Sequence, residues 1–131
     1  MKKKKILSIA LVLTMIVSLA LPAGKTALVL GAGGAARGVL FSLGRARAGR
    51  LLIYNRSLER AEGLSVHLED YFPETEIEVV SSPDALKEER VDLVVNATSC
   101  GMKKSDPAPL DLNFLKKQQL PMILLLQKSK F

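Results

Sequence analysis

The sequence is poor in the residues on which many functional sites are built. Of its 131 residues one is cysteine, Cys100, and one is histidine, His67. A single cysteine excludes an internal disulfide and gives no sign of an oxidising-compartment framework. His67, in the run SVHLED, has no identifiable acid–base partner and reads as a surface or half-buried helical residue. No metal site is expected. The formal net charge of +6 suggests a nucleic-acid partner only at first sight, because four of the nineteen basic residues are Lys2 to Lys5 and residues 1–20 hold no acid. Without that segment 15 basic residues face 13 acidic ones. No basic run interleaved with aromatics is left, so DNA and RNA are excluded as expected partners. Repeats and low-complexity tracts are absent beyond the lysine run.

What is present suits one globular domain: 48% of residues are hydrophobic and 24% charged, and the length leaves room for no second core. Residues 1–23 stand apart as a leader. A basic start is followed by sixteen uncharged residues from Ile6 to Leu21, and Ser18 and Ala20 supply a small-x-small cleavage pattern. Read as a secretory signal, this leader implies export. Read as an uncleaved anchor, it brings residues 6–21 to a membrane, although it is slightly short for a hydrocarbon core of about 30 Å. A buried helix or an upstream sequence artefact is the third reading.

Residues 24–131 read as an α/β domain, a Rossmann-type doubly wound parallel sheet, incomplete and preceded by the hydrophobic N-terminal helix. Thr26 to Leu30 (TALVL) is the first strand, and the apolar spacing then changes to that of a helix from Gly34 to about Leu43. Ala35, Ala36, Val39, Leu40 and Leu43 are expected to face the sheet. Gly44 to Arg50 reads as a polar turn and Leu51 to Tyr54 as the second strand. Ser57 can cap a helix running to about Leu68, with Ala61, Leu64 and Leu68 inward. Glu76 to Val80 is the third strand, and Ser82 to Glu89 a short helix. The nearly continuous apolar run Val91 to Val95 is the fourth, as expected for a strand buried on both faces. Asn96 to Met102 is a loop and Leu110 to Leu115 a helical turn. Leu120 to Leu126 is either a fifth strand or a buried tail, and Pro121 requires a strand there to start at an edge or just after it.

The chemistry is concentrated at GAGGAA, residues 31–36. Glycines between a strand and a helix permit a tight turn that a diphosphate can approach, and the unpaired N–H groups of a helix start suit an anion. The bland alternative is a tight βα turn that binds nothing. At the tip of the second strand a dinucleotide fold carries an acid for the 2′-hydroxyl of NAD, or an arginine for the 2′-phosphate of NADP. Here the strand ends in Asn55-Arg56-Ser57 with Arg60 one turn later and no acid at the tip, which favours NADP because guanidinium forks suit phosphate. Otherwise Arg56 and Arg60 only solvate a helix start.

Three segments then resemble one family. GAGGAAR at 31–37, NRSLERA at 55–61 and NATSCGM at 96–102 are similar in order and spacing to those of shikimate dehydrogenases, over about Pro22 to Leu115. The resemblance implies a diphosphate loop of Gly31, Ala32, Gly33, Gly34 and Ala35, and an NADP-selecting group of Asn55, Arg56, Ser57 and Arg60. It also implies a segment beside the cofactor and towards the nicotinamide pocket, with Asn96, Ala97, Thr98, Ser99, Gly101 and Met102. Met102 walls that pocket or fills core space, and Cys100 is a loop thiol, inert or reactive. Asp92 forms a salt bridge or caps, while Glu59 and Glu62 supply helix surface charge.

The sequence also departs from the family. The family's substrate domain, with its shikimate-binding serines and catalytic Lys–Asp pair, is expected where the leader stands, and residues 118–131 do not match the family's closing segment. Lys25, Lys103 and Lys104 have no supporting motif, so no catalytic residue is assigned. The resemblance therefore implies an NADP-binding domain of a cytoplasmic oxidoreductase interconverting 3-dehydroshikimate and shikimate, on the route to aromatic amino acids. Binding is expected without turnover unless another chain supplies the substrate domain. A different class of reading is a non-catalytic exported or membrane-tethered domain, or a decayed gene fragment.

Overall fold

The computed structural model describes residues 23–87, 89–98 and 122–125. Residues 1–22, which are nearly all of the leader, residue 88, residues 99–121, with the expected helical turn at 110–115, and the last six residues lie outside the described residues. Five parallel strands form one sheet: β1 (Thr26–Leu30), β2 (Arg50–Tyr54), β3 (Glu76–Val79), β4 (Leu93–Asn96) and β5 (Met122–Leu125), in the order β3-β2-β1-β4-β5. That is the order of a doubly wound nucleotide fold, in which the chain reverses direction across the sheet between β1 and β4. β5 begins one residue after Pro121 and occupies an edge of the sheet, as a proline there requires.

Two helices cover one face. α1 (Gly34–Arg45) buries Ala36, Val39, Leu40 and Leu43, and α2 (Leu58–Tyr71) buries Ala61, Leu64 and Leu68. These residues meet Ala27, Val29, Leu51, Ile53, Leu93 and Val95 in one cluster, the alternate residues of strands whose side chains point to opposite faces. On the other face Leu28, Leu30, Leu52 and Val94 join Val80, Leu86 and Val91. Ala35 is exposed rather than turned to the sheet. Of the two alanines only Ala36 is buried against the strands, because the first helical turn carries Ala35 round to solvent.

Several boundaries differ from the sequence pattern: β2 starts at Arg50, α2 runs on to Tyr71 and β3 ends at Val79. α1 continues through Gly44 and Arg45, so the polar turn starts later than expected. The segment after β3 is a single 3₁₀ turn, Pro83–Leu86, which buries only Leu86. Val91 and Asp92 precede β4 rather than begin it. The half-buried Asp92 exchanges two bonds with the start of β1: its N–H donates to Thr26 O at 2.9 Å and its Oδ2 accepts from Thr26 N–H at 3.0 Å. Of its two expected roles, it therefore caps.

The outer ends of α1 and α2 meet through rings. Phe41 stands edge-on to Tyr71, Phe72 and His67, with centroids 5.1, 5.6 and 6.0 Å away, a preferred aromatic geometry. His67 itself is exposed. At the opposite end of the sheet from the glycine turn, Arg50 pairs with Glu76, Glu78 and Glu89. The hydrogen bond to Glu89 and then the one to Glu78, working against desolvation, raise its proton affinity, so it is always charged. Among the described residues no helix is long and apolar enough to cross a membrane.

Candidate functional site

The site is set by strand register. Leu30 is paired with Tyr54 on one side and with Asn96 on the other, so β1, β2 and β4 release their chains at the same edge of the sheet. The three segments picked out in the sequence start there. In an open α/β sheet this carboxyl edge, at the reversal of strand order, is where ligands sit.

Gly31 is buried and adopts φ +120°, a conformation that L side chains rarely adopt. Its N–H donates to Tyr54 O at 2.8 Å, and Ala97 N–H donates to Leu30 O at 2.9 Å, so both neighbouring loops are tied to this turn. A β-carbon on Gly31 would lie 3.2 Å from Ala97 O and from Thr98 Cγ2. Glycine is needed here because the chain after β4 passes beneath it. Ala32 is half-buried against the helix-side core. Gly33, Gly34 and Ala35 are exposed, and β-carbons built on the two glycines would meet nothing within 4 Å. Gly33 is the N-cap of α1 and supplies no side-chain cap. The first-turn N–H groups lack intrahelical partners and lie at the positive end of the helix dipole.

The second group follows β2. Asn55 is half-buried, and one N–H of its carboxamide donates to Ser57 O at 3.1 Å. Ser57 caps α2, its hydroxyl oxygen accepting from Arg60 N–H at 3.3 Å, which leaves the hydroxyl hydrogen as a donor. Arg56 and Arg60 are exposed, and among the described residues neither guanidinium has an ion-pair or hydrogen-bond partner. Two uncommitted cations at the start of a helix are mildly unfavourable against its dipole. They offer an anion a fork of donors.

The third group is Asn96, Ala97 and Thr98, all half-buried. Asn96 Oδ1 accepts from Thr98 N–H at 3.1 Å and from the Thr98 hydroxyl at 2.6 Å. Ser99, Cys100, Gly101 and Met102 lie outside the described residues. Sequence reasoning missed the contact between this turn and Gly31. The available signal was Asn followed two residues later by Thr at the end of a strand, a pattern that favours an asparagine-closed turn.

The donor set fits a dinucleotide. It combines uncapped N–H groups, glycines with open space above them, and free guanidinium groups at the tip of the neighbouring strand, with no carboxylate at that tip.

Comparison with known proteins agrees with this geometry. A model of the Shikimate / quinate 5-dehydrogenase family matches residues 15–103. The chain is 42% identical over 90 residues to a shikimate dehydrogenase (NADP(+)) of Magnetococcus marinus, covering 68% of this chain and 32% of that protein. It is 45% identical over 101 residues to one from Geobacter sp. strain M21, covering 73% and 34%. Among solved structures, shikimate dehydrogenase from Aquifex aeolicus superposes with a TM-score of 0.62 at 28% identity, over 89% of this chain and 48% of that one. The 5-ketofructose reductase of Gluconobacter sp. strain CHM43 does so with 0.63 at 31%, over 80% and 39%. The chain spans about a third of the length of the curated relatives it matches.

Proposed function

The chain belongs to the shikimate / quinate 5-dehydrogenase family, and from that premise we propose that it binds NADP(H) as the cofactor domain of an oxidoreductase. The reaction proposed for the whole protein is interconversion of 3-dehydroshikimate and shikimate, in the cytoplasm. Two curated relatives are named for NADP(+), and the residues here suit that cofactor independently. Gly31 to Ala35, with the first-turn N–H groups of α1, would hold the diphosphate. Arg56, Ser57 and Arg60 would hold the 2′-phosphate, with Asn55 shaping their turn. Asn96 to Thr98, continued by Ser99, Gly101 and Met102, would line the nicotinamide side. Bound there, the nicotinamide supplies a hydride donor or acceptor.

The observation that carries the reading is the pair of guanidinium groups at the tip of β2, uncommitted among the described residues, on the same sheet edge as the start of α1, which has no side-chain cap. A tight turn with no ligand accounts for the glycines and leaves these two arginines as solvated residues set against a helix dipole, whereas a bound 2′-phosphate gives them a partner. Substrate specificity is expected to come from a separate substrate domain. The similarity to a 5-ketofructose reductase supports that division, since the same fold is shared by proteins named for different substrates. The test is a fluorescence titration of the full chain with NADPH and with NADH. Saturable binding with NADPH the tighter ligand is expected; no saturation, or tighter NADH, would overturn the proposal.

A further inference from the structure

One side chain of the proposed site has its acceptor capacity spent on the protein itself. Asn96 ends β4 beside Leu30 of β1, and its Oδ1 receives both the N–H and the hydroxyl of Thr98, at 3.1 and 2.6 Å. A backbone N–H can only donate, so the carboxamide atom facing it is the oxygen, and two donors occupy both of its lone pairs. Held this way, Thr98 places its Cγ2, together with Ala97 O, 3.2 Å from where a β-carbon of Gly31 would be. Gly31 is fixed from the other side through its N–H to Tyr54 O, and Ala97 through its N–H to Leu30 O. The glycine turn therefore rests on a floor held at Ala97 by Leu30 O and at Thr98 by the Asn96 carboxamide oxygen.

We propose that Asn96 is a positioning residue for cofactor binding, its Oδ1 holding Ala97 and Thr98 beneath Gly31 and so keeping the β1–α1 turn in the shape that receives a diphosphate. This rests on the cofactor reading above. With Oδ1 saturated, Asn96 can touch a ligand only by donating from Nδ2. Holding and touching are thus done by different atoms, and variants can separate them. Asn96→Ala removes both atoms. Asn96→Asp keeps the acceptor, removes the donor and adds a charge that salt screens.

The experiment is NADPH titration of the full-length chain and both variants at low and high salt, with amide hydrogen exchange read at Thr98. Asn96→Ala is expected to weaken NADPH by about tenfold, the scale of two lost hydrogen bonds, and to speed exchange at Thr98. Asn96→Asp is expected to keep Thr98 protected and, at high salt, to recover most of the lost affinity. Unchanged affinity in Asn96→Ala overturns the inference. So does an Asn96→Asp variant that binds as weakly as Asn96→Ala with Thr98 still protected, since the donor would then be what matters. If Asn96→Ala does not fold, Thr98→Val keeps the shape and removes the hydroxyl bond to Asn96 Oδ1. It is expected to cost about fivefold, and no loss overturns the inference. Failure of the wild-type chain to bind NADPH sinks the cofactor reading itself, whereas a loss confined to the variants cannot.

Discussion

Gly44, in the last full turn of α1, lies flat against the ring of Phe72, which follows α2: a β-carbon on Gly44 would sit 2.5 Å from both Cδ2 and Cε2 of that ring. The two helices approach closely because one of them has no side chain at this point. Two effects of Gly44→Ala therefore oppose each other. Alanine favours a helix interior by about 1 kcal/mol over glycine, while forcing an extra carbon into a filled contact costs about 1–3 kcal/mol. The variant is expected to be less stable than wild type in urea unfolding. In a Phe72→Ala background the same substitution is expected to stabilise by about 1 kcal/mol. The same sign in both backgrounds would remove the contact as the reason for glycine.

The end of α1 suggests a stabilising substitution. Arg47 has φ 62°, its N–H donates to Gly44 O, and Ala48 N–H donates to Leu43 O, both at 3.0 Å. This pair of bonds closes a helix in a Schellman turn, whose left-handed position usually holds glycine. An L residue there costs about 1–2 kcal/mol, and glycine returns about 0.4–1 kcal/mol of that through the unfolded chain's entropy. Arg47→Gly is expected to stabilise by about 0.5–1 kcal/mol on that balance. A melting temperature at or below that of wild type would contradict it.

Much of this fold could be read from local pattern. The change of apolar period after Leu30, the cap at Ser57 and the proline before β5 are local signals, and each marks an element the structure contains. What escaped was set by distant residues. Gly44 resembles a helix breaker until Phe72 is known to cover it. Asp92 belongs to an apolar run until β1 is known to start beside it. The same division holds at the site. The residue types and their order were legible, whereas the reason for Gly31 was not, because its floor is built by Ala97 and Thr98 from the far side of the sheet reversal.

That floor makes Gly31 the most sensitive position of the turn. Gly31→Ala would meet both a positive φ of 120° and contacts of 3.2 Å to Ala97 O and Thr98 Cγ2. Backbone strain of this kind costs about 1–3 kcal/mol, so a lower unfolding midpoint is expected together with loss of NADPH binding. By contrast, Gly33→Ala adds a carbon into open space and, although alanine is a poorer N-cap than glycine, is expected to destabilise by no more than about 1 kcal/mol. Equal destabilisation by the two would mean that the turn does not depend on the passage of the β4 loop beneath Gly31.

The 2′-phosphate assignment is tested most directly by removing one cation. Arg56 is exposed and uncommitted among the described residues, so Arg56→Ala breaks no internal ion pair and is expected to leave the melting temperature of the free chain unchanged. A hydrogen bond to a charged group contributes about 1.5–3 kcal/mol. Solvent and salt reduce that at an exposed position, which puts the expected loss for NADPH near the lower figure, about tenfold in affinity. NADH has no 2′-phosphate, and its affinity should change little. Because the interaction is between charges, the NADPH loss should also shrink as salt is raised. Equal losses for the two cofactors would move Arg56 to the diphosphate. A loss for neither would leave Arg56 a solvated residue at a helix start and place the phosphate elsewhere on the sheet edge.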